Sequence, residues 1–214
     1  AIRYNGADPI FMDSDNYYNI DVQKTIEFIE DRTIFKNGYT FCKKTHKKIS
    51  ALIPVHVWGN AVQLDRLVTI CKNRNISLVE DASESLGTVY NRGEYKDKAT
   101  GTIGELGCLS FNGNKIITAG GGGMILTNSI KFAEKAKYLT TQAKDDPLMY
   151  IHNEIGYNFR LTNLSAAVGV AQLEQLEKYI KQKRIISDYY KRSLEGINTM
   201  RIAKVPNYSN NNHW

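Results

Sequence analysis

Val79-Glu80-Asp81-Ala82-Ser83-Glu84-Ser85-Leu86-Gly87, followed by Leu109-Ser110-Phe111-Asn112-Gly113-Asn114-Lys115, decides how this chain folds. The apolar residues Ile76, Leu78 and Val79 run into Glu80-Asp81. That pattern predicts a buried strand with a carboxylate at its C-terminal end, where open α/β sheets place their ligands. Cys108-Leu109-Ser110-Phe111 reads as a second such strand, bringing Ser110 and Lys115 to the same edge. A lysine able to form a Schiff base and an aspartate able to sit against a pyridinium nitrogen are the minimum set for pyridoxal phosphate chemistry. Spacing alone leaves blander readings open, because most Asp and Lys residues are solvated surface groups. Asp81 would also serve as the N-cap of a helix beginning at Ala82. Lys115 would also serve as an exposed turn residue after Asn112-Gly113-Asn114.

The rest of the chain is consistent with a globular α/β protein. At 214 residues, 42% hydrophobic and 23% charged, it can bury a sizeable core, which excludes a disordered or fibrous protein. Cys42, Cys71 and Cys108 are odd in number and widely spaced. They suggest neither a disulfide framework nor a zinc ribbon and fit a reducing cytoplasm. No apolar run approaches the ~20 residues that span a bilayer, so no membrane association is expected. The net charge of +6 favours anionic partners. Lys43-Lys44-Thr45-His46-Lys47-Lys48 lacks interleaved aromatics, so it reads as a solvated hairpin edge rather than a nucleic-acid site. His56 and His152 lack metal-ligand spacing, and no metal is expected.

Strand and helix signals alternate, which predicts a mainly parallel sheet covered on both faces. Strands are expected at Ile10-Phe11-Met12, Ala51 to Val57, Leu78-Val79, Cys108 to Phe111 and Met124-Ile125-Leu126. Asn37 to Lys48 reads as a hairpin excursion. Asp21 is placed to cap a helix bearing Val22, Ile26 and Ile29. Leu64, Leu67, Val68 and Cys71 mark a second helix, and Phe132, Ala136 and Leu139 a third. One long helix is expected from Thr162 or Asn163 through Ala171, Leu173 and Leu176 toward Tyr189. Gly120 to Gly123 fits neither common nucleotide-loop pattern and reads as a backbone turn needing positive φ or close approach.

Three elements in order carry a resemblance: Glu80-Asp81-Ala82-Ser83-Glu84, Ser110 to Lys115 with the glycines that follow, and Gly156-Tyr157-Asn158-Phe159-Arg160. They resemble the E-D-x-x-(Q/H/E), S-F-x-x-x-K and G-Y-N-x-R elements of the DegT/DnrJ/EryC1/StrS sugar aminotransferases of fold type I. The similarity extends through Ala7 to Asp13, Tyr18 to Asp21, Ile53 to Gly59, Ala166-Ala167 and Gln172 to Leu176. It therefore covers nearly the whole chain.

The resemblance implies pyridoxal 5'-phosphate as cofactor, with Lys115 as the Schiff-base lysine and proton shuttle. It implies Asp81 at the pyridine nitrogen, Ser110 at the cofactor phosphate and Glu84 near the cofactor oxygen or the substrate. Asn158 would reach the phosphate held by a neighbouring subunit, making a homodimer with shared active sites, and Arg160 would meet a substrate carboxylate or phosphate. The implied fold is a three-layer α/β arrangement on a mainly parallel sheet, here incomplete. Residues 1–180 would be the central part of the cofactor-binding large domain, and 181–214 a linker helix and the start of a small C-terminal domain. The implied reaction is transamination of a nucleotide-linked 4-keto-6-deoxy sugar, first of the UDP-N-acetylhexosamine type and second a GDP-linked hexose, with glutamate as donor. A 3-keto-sugar aminotransferase and a non-catalytic fragment or binding module are the alternatives.

Overall fold

The structure is a computed structural model that describes residues 1–146 and 148–214. Helix α1 (Val22–Asp31) begins at Asp21, whose side chain accepts the Lys24 N–H, and buries Thr25, Ile26 and Ile29. A three-stranded antiparallel excursion follows, made of β1 (Thr33–Lys36), β2 (Tyr39–Cys42) and β3 (Lys48–Ile49). The basic residues Lys43 to Lys48 lie exposed at its β2–β3 turn, as expected.

The central sheet has the order β4-β5-β7-β8, from β4 (Ala51–Leu52), β5 (Ser77–Asp81), β7 (Leu106–Ser110) and β8 (Gly123–Leu126). The first three strands are parallel and β8 is antiparallel, so the sheet is mainly parallel. Helix α2 (Asp65–Asn73) connects β4 to β5 and packs on both β5 and α1. Its buried residues Leu67, Val68, Ile70 and Cys71 join Ile26, Ile29, Leu64, Ile76 and Leu78 in the main core. Strand β6 (Val89–Tyr90) sits apart from this sheet and pairs with β9 (Ser209–Asn210) near the C-terminus. Helix α3 (Ile130–Thr140) follows β8, capped by Ser129.

Three expected elements differ. Ile10-Phe11-Met12 is not a strand: no neighbouring strand pairs its backbone among the described residues, and Phe11 is 89% exposed. The strand expected from Ala51 to Val57 stops at Leu52, because Pro54 has no N–H to continue a ladder; only a single bridge, Val55 to Asp81, lies beyond it. The long C-terminal helix is two helices, α4 (Asn163–Leu173, capped by Thr162) and α5 (Leu176–Ser193). Gln175, at φ −100 and ψ 0, leaves the helical ladder. The break turns Leu176 and Tyr179 onto a second small core of Phe111, Ile117 and Ala119.

The glycine run behaves as the turn reading requires. Gly120 and Gly122 have φ of 79° and 82°. A Cβ on Gly123 would lie 2.4 Å from the Leu109 carbonyl oxygen, so only glycine allows β8 to approach β7 there.

Candidate active site

In the β5–β7 ladder Asp81 lies level with Cys108. Side chains alternate between faces along a strand, so Asp81, Cys108 and Ser110 project from one face and Glu80 from the other. Burial, and after it the charge of Asp81, push the Cys108 thiol above its ordinary range. Asp81 is fixed by its backbone. Its N–H donates to the Pro54 carbonyl at 2.9 Å and its carbonyl accepts the His56 N–H at 3.0 Å. Its carboxylate accepts the Ser83 N–H at 3.1 Å. No helix begins at Ala82: residues 82–87 form successive turns, so Asp81 is not an N-cap.

Ser110 ends β7, and its hydroxyl accepts the Asn112 N–H at 3.4 Å. The turn expected at Asn112-Gly113-Asn114 is present, with the Lys115 N–H donating to the Asn112 carbonyl at 3.0 Å. The Lys115 side chain nevertheless folds inward and is only 12% exposed. Its amine lies 3.7 Å from Glu84 Oε1 and 4.5 Å from the centre of the Trp214 ring. Glu84 is itself aimed, because Oε2 accepts the Trp58 N–H at 2.8 Å. Trp58 has φ 52°, a region bulky residues rarely occupy, and its ring packs on Tyr18 with centroids 4.7 Å apart.

The segment Asn211 to Trp214 ties these loops together. The fully buried Asn212 donates from Nδ2 to the carbonyls of Glu84 and Leu86, at 2.9 and 3.0 Å. Its Oδ1 accepts the Trp214 N–H at 3.1 Å, and the Trp214 indole N–H donates to the Asn114 carbonyl at 2.7 Å. Thus a residue a hundred positions along the chain holds the turn that precedes Lys115. Trp58 and Trp214 also line a cavity of about 310 Å³, with Lys183, Tyr190 and His213 on its wall. Burial, then the charges of Lys191 and Arg184, hold the His213 imidazole below its usual pKa, which favours its neutral form.

Glu80, on the other face of β5, is fully buried. Burial alone would raise its pKa, but hydrogen bonds from His56 and from the Gly104 and Gly101 N–H groups hold it below the ordinary carboxylate value. The fully buried His56 is thus hydrogen-bonded within the structure, as its lack of metal-ligand spacing suggested. His152 Nδ1 donates to the Gln142 carbonyl at 2.8 Å. Among the described residues no group of three or more His, Cys, Asp or Glu side chains could hold a metal ion.

Asn158 and Arg160 stand apart. Both are exposed, and Arg160 Nε donates to Asn158 Oδ1 at 2.9 Å. Among the described residues neither is hydrogen-bonded or ion-paired to Lys115, Asp81, Glu84 or Ser110. The structure therefore gathers four of the six expected side chains at one sheet edge and leaves two on the surface.

Comparison with known proteins identifies the family. The model of the DegT/DnrJ/EryC1/StrS aminotransferase family matches residues 1–214. The chain belongs to this family. It is 37% identical to the GDP-perosamine synthase of Escherichia coli O157:H7 over 197 residues, 92% of this chain and 49% of that protein. It is 30% identical to the UDP-4-amino-4,6-dideoxy-N-acetyl-beta-L-altrosamine transaminase of Campylobacter jejuni over 205 residues, 95% of this chain and 50% of that protein. A DegT DnrJ EryC1 StrS aminotransferase of Brucella abortus superposes with a TM-score of 0.81 at 24% identity, covering 96% of this chain and 51% of that one, which shows the fold-type I architecture. The chain thus spans about half the length of these family members. Among the described residues, no helix is long and apolar enough to cross a membrane.

Trp214, Trp58, Asn212 and the His56–Glu80 pair were not among the residues assigned to the site from sequence. The one local signal was Glu80 itself, a charged residue on the inward face of an apolar strand, which must find partners when buried.

Proposed function

We propose that this family member is a pyridoxal 5'-phosphate-dependent aminotransferase that converts the C-4 ketone of a nucleotide-linked 4-keto-6-deoxy sugar to an amine, with glutamate as donor. The observation that carries the reading is the inward-folded Lys115 amine, held between Glu84 and Trp214 at the sheet edge that also bears Asp81 and Ser110. The donor set fits the cofactor: an amine for its aldehyde, a carboxylate for its ring nitrogen and a hydroxyl for its phosphate. Bound there, pyridoxal phosphate would supply an electron-withdrawing ring that stabilises negative charge on a substrate carbon.

The remaining chemistry belongs to the chain. Asp81 would keep a proton on the ring nitrogen, because an adjacent carboxylate favours the charged form. Lys115 would hold the cofactor through its amine, and the same amine is placed to carry a proton at the reacting carbon. Glu84, aimed by the Trp58 N–H, orients that amine. The Trp214 indole covers it against water. Arg160 is suited to a carboxylate or phosphate of the substrate.

A homodimer completes the site in this reading, with Asn158 of one copy serving the phosphate in the other. Exposed apolar residues around Asn158 and along α4 support it: Tyr157, Phe159, Leu164, Val168 and Leu173. Patches of this kind mark association surfaces. The names of the relatives support a nucleotide-sugar substrate; a UDP-linked N-acetylhexosamine is the first candidate and a GDP-linked hexose the second. The test is to incubate the complete protein with pyridoxal phosphate, glutamate and a panel of UDP- and GDP-linked 3-keto and 4-keto sugars. A new amine at C-4 of one of them, with 2-oxoglutarate formed in equal amount, is expected. Amination at C-3 alone, or none with any sugar, would overturn the proposal.

A further inference from the structure

We propose that Glu80 and His56 are positioning residues for Asp81: the buried Glu80 clamp fixes the register of β5, so that Asp81 rather than its neighbour faces the cofactor. The proposal rests on the reading of Asp81 as a cofactor-binding residue.

Glu80 and Asp81 are adjacent carboxylates, and a slip of one residue along β5 would exchange their faces. What prevents the exchange is a set of four donors. Glu80 Oε2 accepts from His56 Nε2 at 2.9 Å and from the Gly101 N–H at 2.8 Å. Oε1 accepts from the N–H groups of Ile103 and Gly104 at 2.7 and 2.6 Å. A carboxylate offers about four acceptor sites, so this clamp is fully matched to a buried carboxylate and to nothing else of that size.

His56 is held in the donating tautomer. Its Nδ1 accepts the Val62 N–H at 3.0 Å, which leaves the ring proton on Nε2, facing Glu80. The same residue's backbone N–H donates to the Asp81 carbonyl at 3.0 Å, so His56 touches both members of the pair. Glycine is required in the opposing loop. A Cβ on Gly104 would lie 2.7 Å from the Leu78 carbonyl oxygen, and Gly101 has φ 84°. The clamp therefore joins the segment after β4 and the segment before β7 to β5, and so locks the strand between its two neighbours.

The test uses the complete protein and two histidine variants that divide the ring's contacts. In His56→Gln the side-chain amide replaces Nε2 as donor to Glu80. In His56→Asn the side-chain oxygen replaces Nδ1 and Glu80 loses a donor. Ile29→Val, in the distant α1 core, controls for lowered stability, and Asp81→Asn tests the underlying reading. Two quantities are read: the Kd for pyridoxal phosphate by absorbance titration, and amide hydrogen exchange of peptides covering residues 79–83 and 100–104 in cofactor-free protein.

His56→Asn and Glu80→Gln should weaken cofactor binding about tenfold, because a loosened β5 no longer holds Asp81 on one face, and should speed exchange in both peptides. His56→Gln and Ile29→Val should leave both readouts near wild type. Wild-type Kd and exchange in His56→Asn and Glu80→Gln would overturn the proposal, as would equal damage in His56→Gln and His56→Asn. Should Glu80→Gln fail to fold, the histidine pair decides alone. Wild-type affinity in Asp81→Asn would instead defeat the cofactor reading of Asp81. Impaired Asp81→Asn beside intact His56→Asn would defeat only the positioning role.

Discussion

Gly59→Ala should destabilise the protein far more than a surface glycine substitution, and the geometry allows the cost to be worked out. Gly59 has φ 76°, and a Cβ built on it lies 1.9 Å from Asn212 Oδ1 and 2.9 Å from its Cγ. The left-handed backbone alone costs a non-glycine residue about 1–2 kcal/mol. Contact at that distance cannot be relieved by a small shift, because Asn212 is fully buried and bonded on several sides. Its side chain must leave, giving up the bonds to the Glu84 and Leu86 carbonyls and to the Trp214 N–H. At about 0.5–1.5 kcal/mol net for each of these three, that loss is about 1.5–4.5 kcal/mol. The total is about 2.5–6.5 kcal/mol. Urea unfolding of the complete protein at pH 7 measures it, in wild type and in an Asn212→Gly background. Clearing Asn212 should reduce the cost of Gly59→Ala toward the backbone part, about 1–2 kcal/mol, leaving the contact with Asn211 Oδ1 at 3.0 Å. A cost below about 1 kcal/mol in wild type, or the same cost in both backgrounds, would refute the view that Asn212 wires the C-terminal segment to the site.

Other outcomes follow from the same geometry. The depressed pKa of Glu80 contributes stability that is present above its ordinary value of 4.5 and is lost as pH falls through the lower folded value. Urea unfolding from pH 5 to pH 3 should therefore show a stability gap between wild type and Glu80→Gln that shrinks toward acid; a constant gap contradicts the assignment. Asp81→Ala should retain covalently attached cofactor yet lose most of its half-reaction rate with glutamate, and near-normal single-turnover rates would exclude the role given to Asp81. Mixing the complete Lys115→Ala and Asn158→Ala proteins, each impaired alone and shown to exchange subunits, should raise activity above either parent. No rise places Asn158 within its own subunit's site or in a purely structural role.

The sequence made the strands β5 and β7 legible because both are short apolar runs ending in polar residues at an edge, and α1 and α2 legible through cap and period. It misjudged elements whose fate depends on distant partners. Ile10-Phe11-Met12 has strand composition but no strand beside it, and composition carries no information about pairing. The α4–α5 break at Gln175 has no glycine or proline to announce it; it follows from Leu176 and Tyr179 packing on Phe111. At the site, Lys115, Glu84, Asp81 and Ser110 belong to two short segments and were recognisable together. Trp214 was not, because its contact with the Asn114 turn joins residues a hundred positions apart, beyond the β6–β9 pairing.

The most direct test of the central claim is to load the complete protein with pyridoxal phosphate, reduce it with borohydride and map the modified peptide by mass spectrometry. The account predicts a pyridoxyl group on Lys115, the inward-folded lysine beside Glu84. A label on Lys137 or Lys144 with Lys115 unmodified would contradict it.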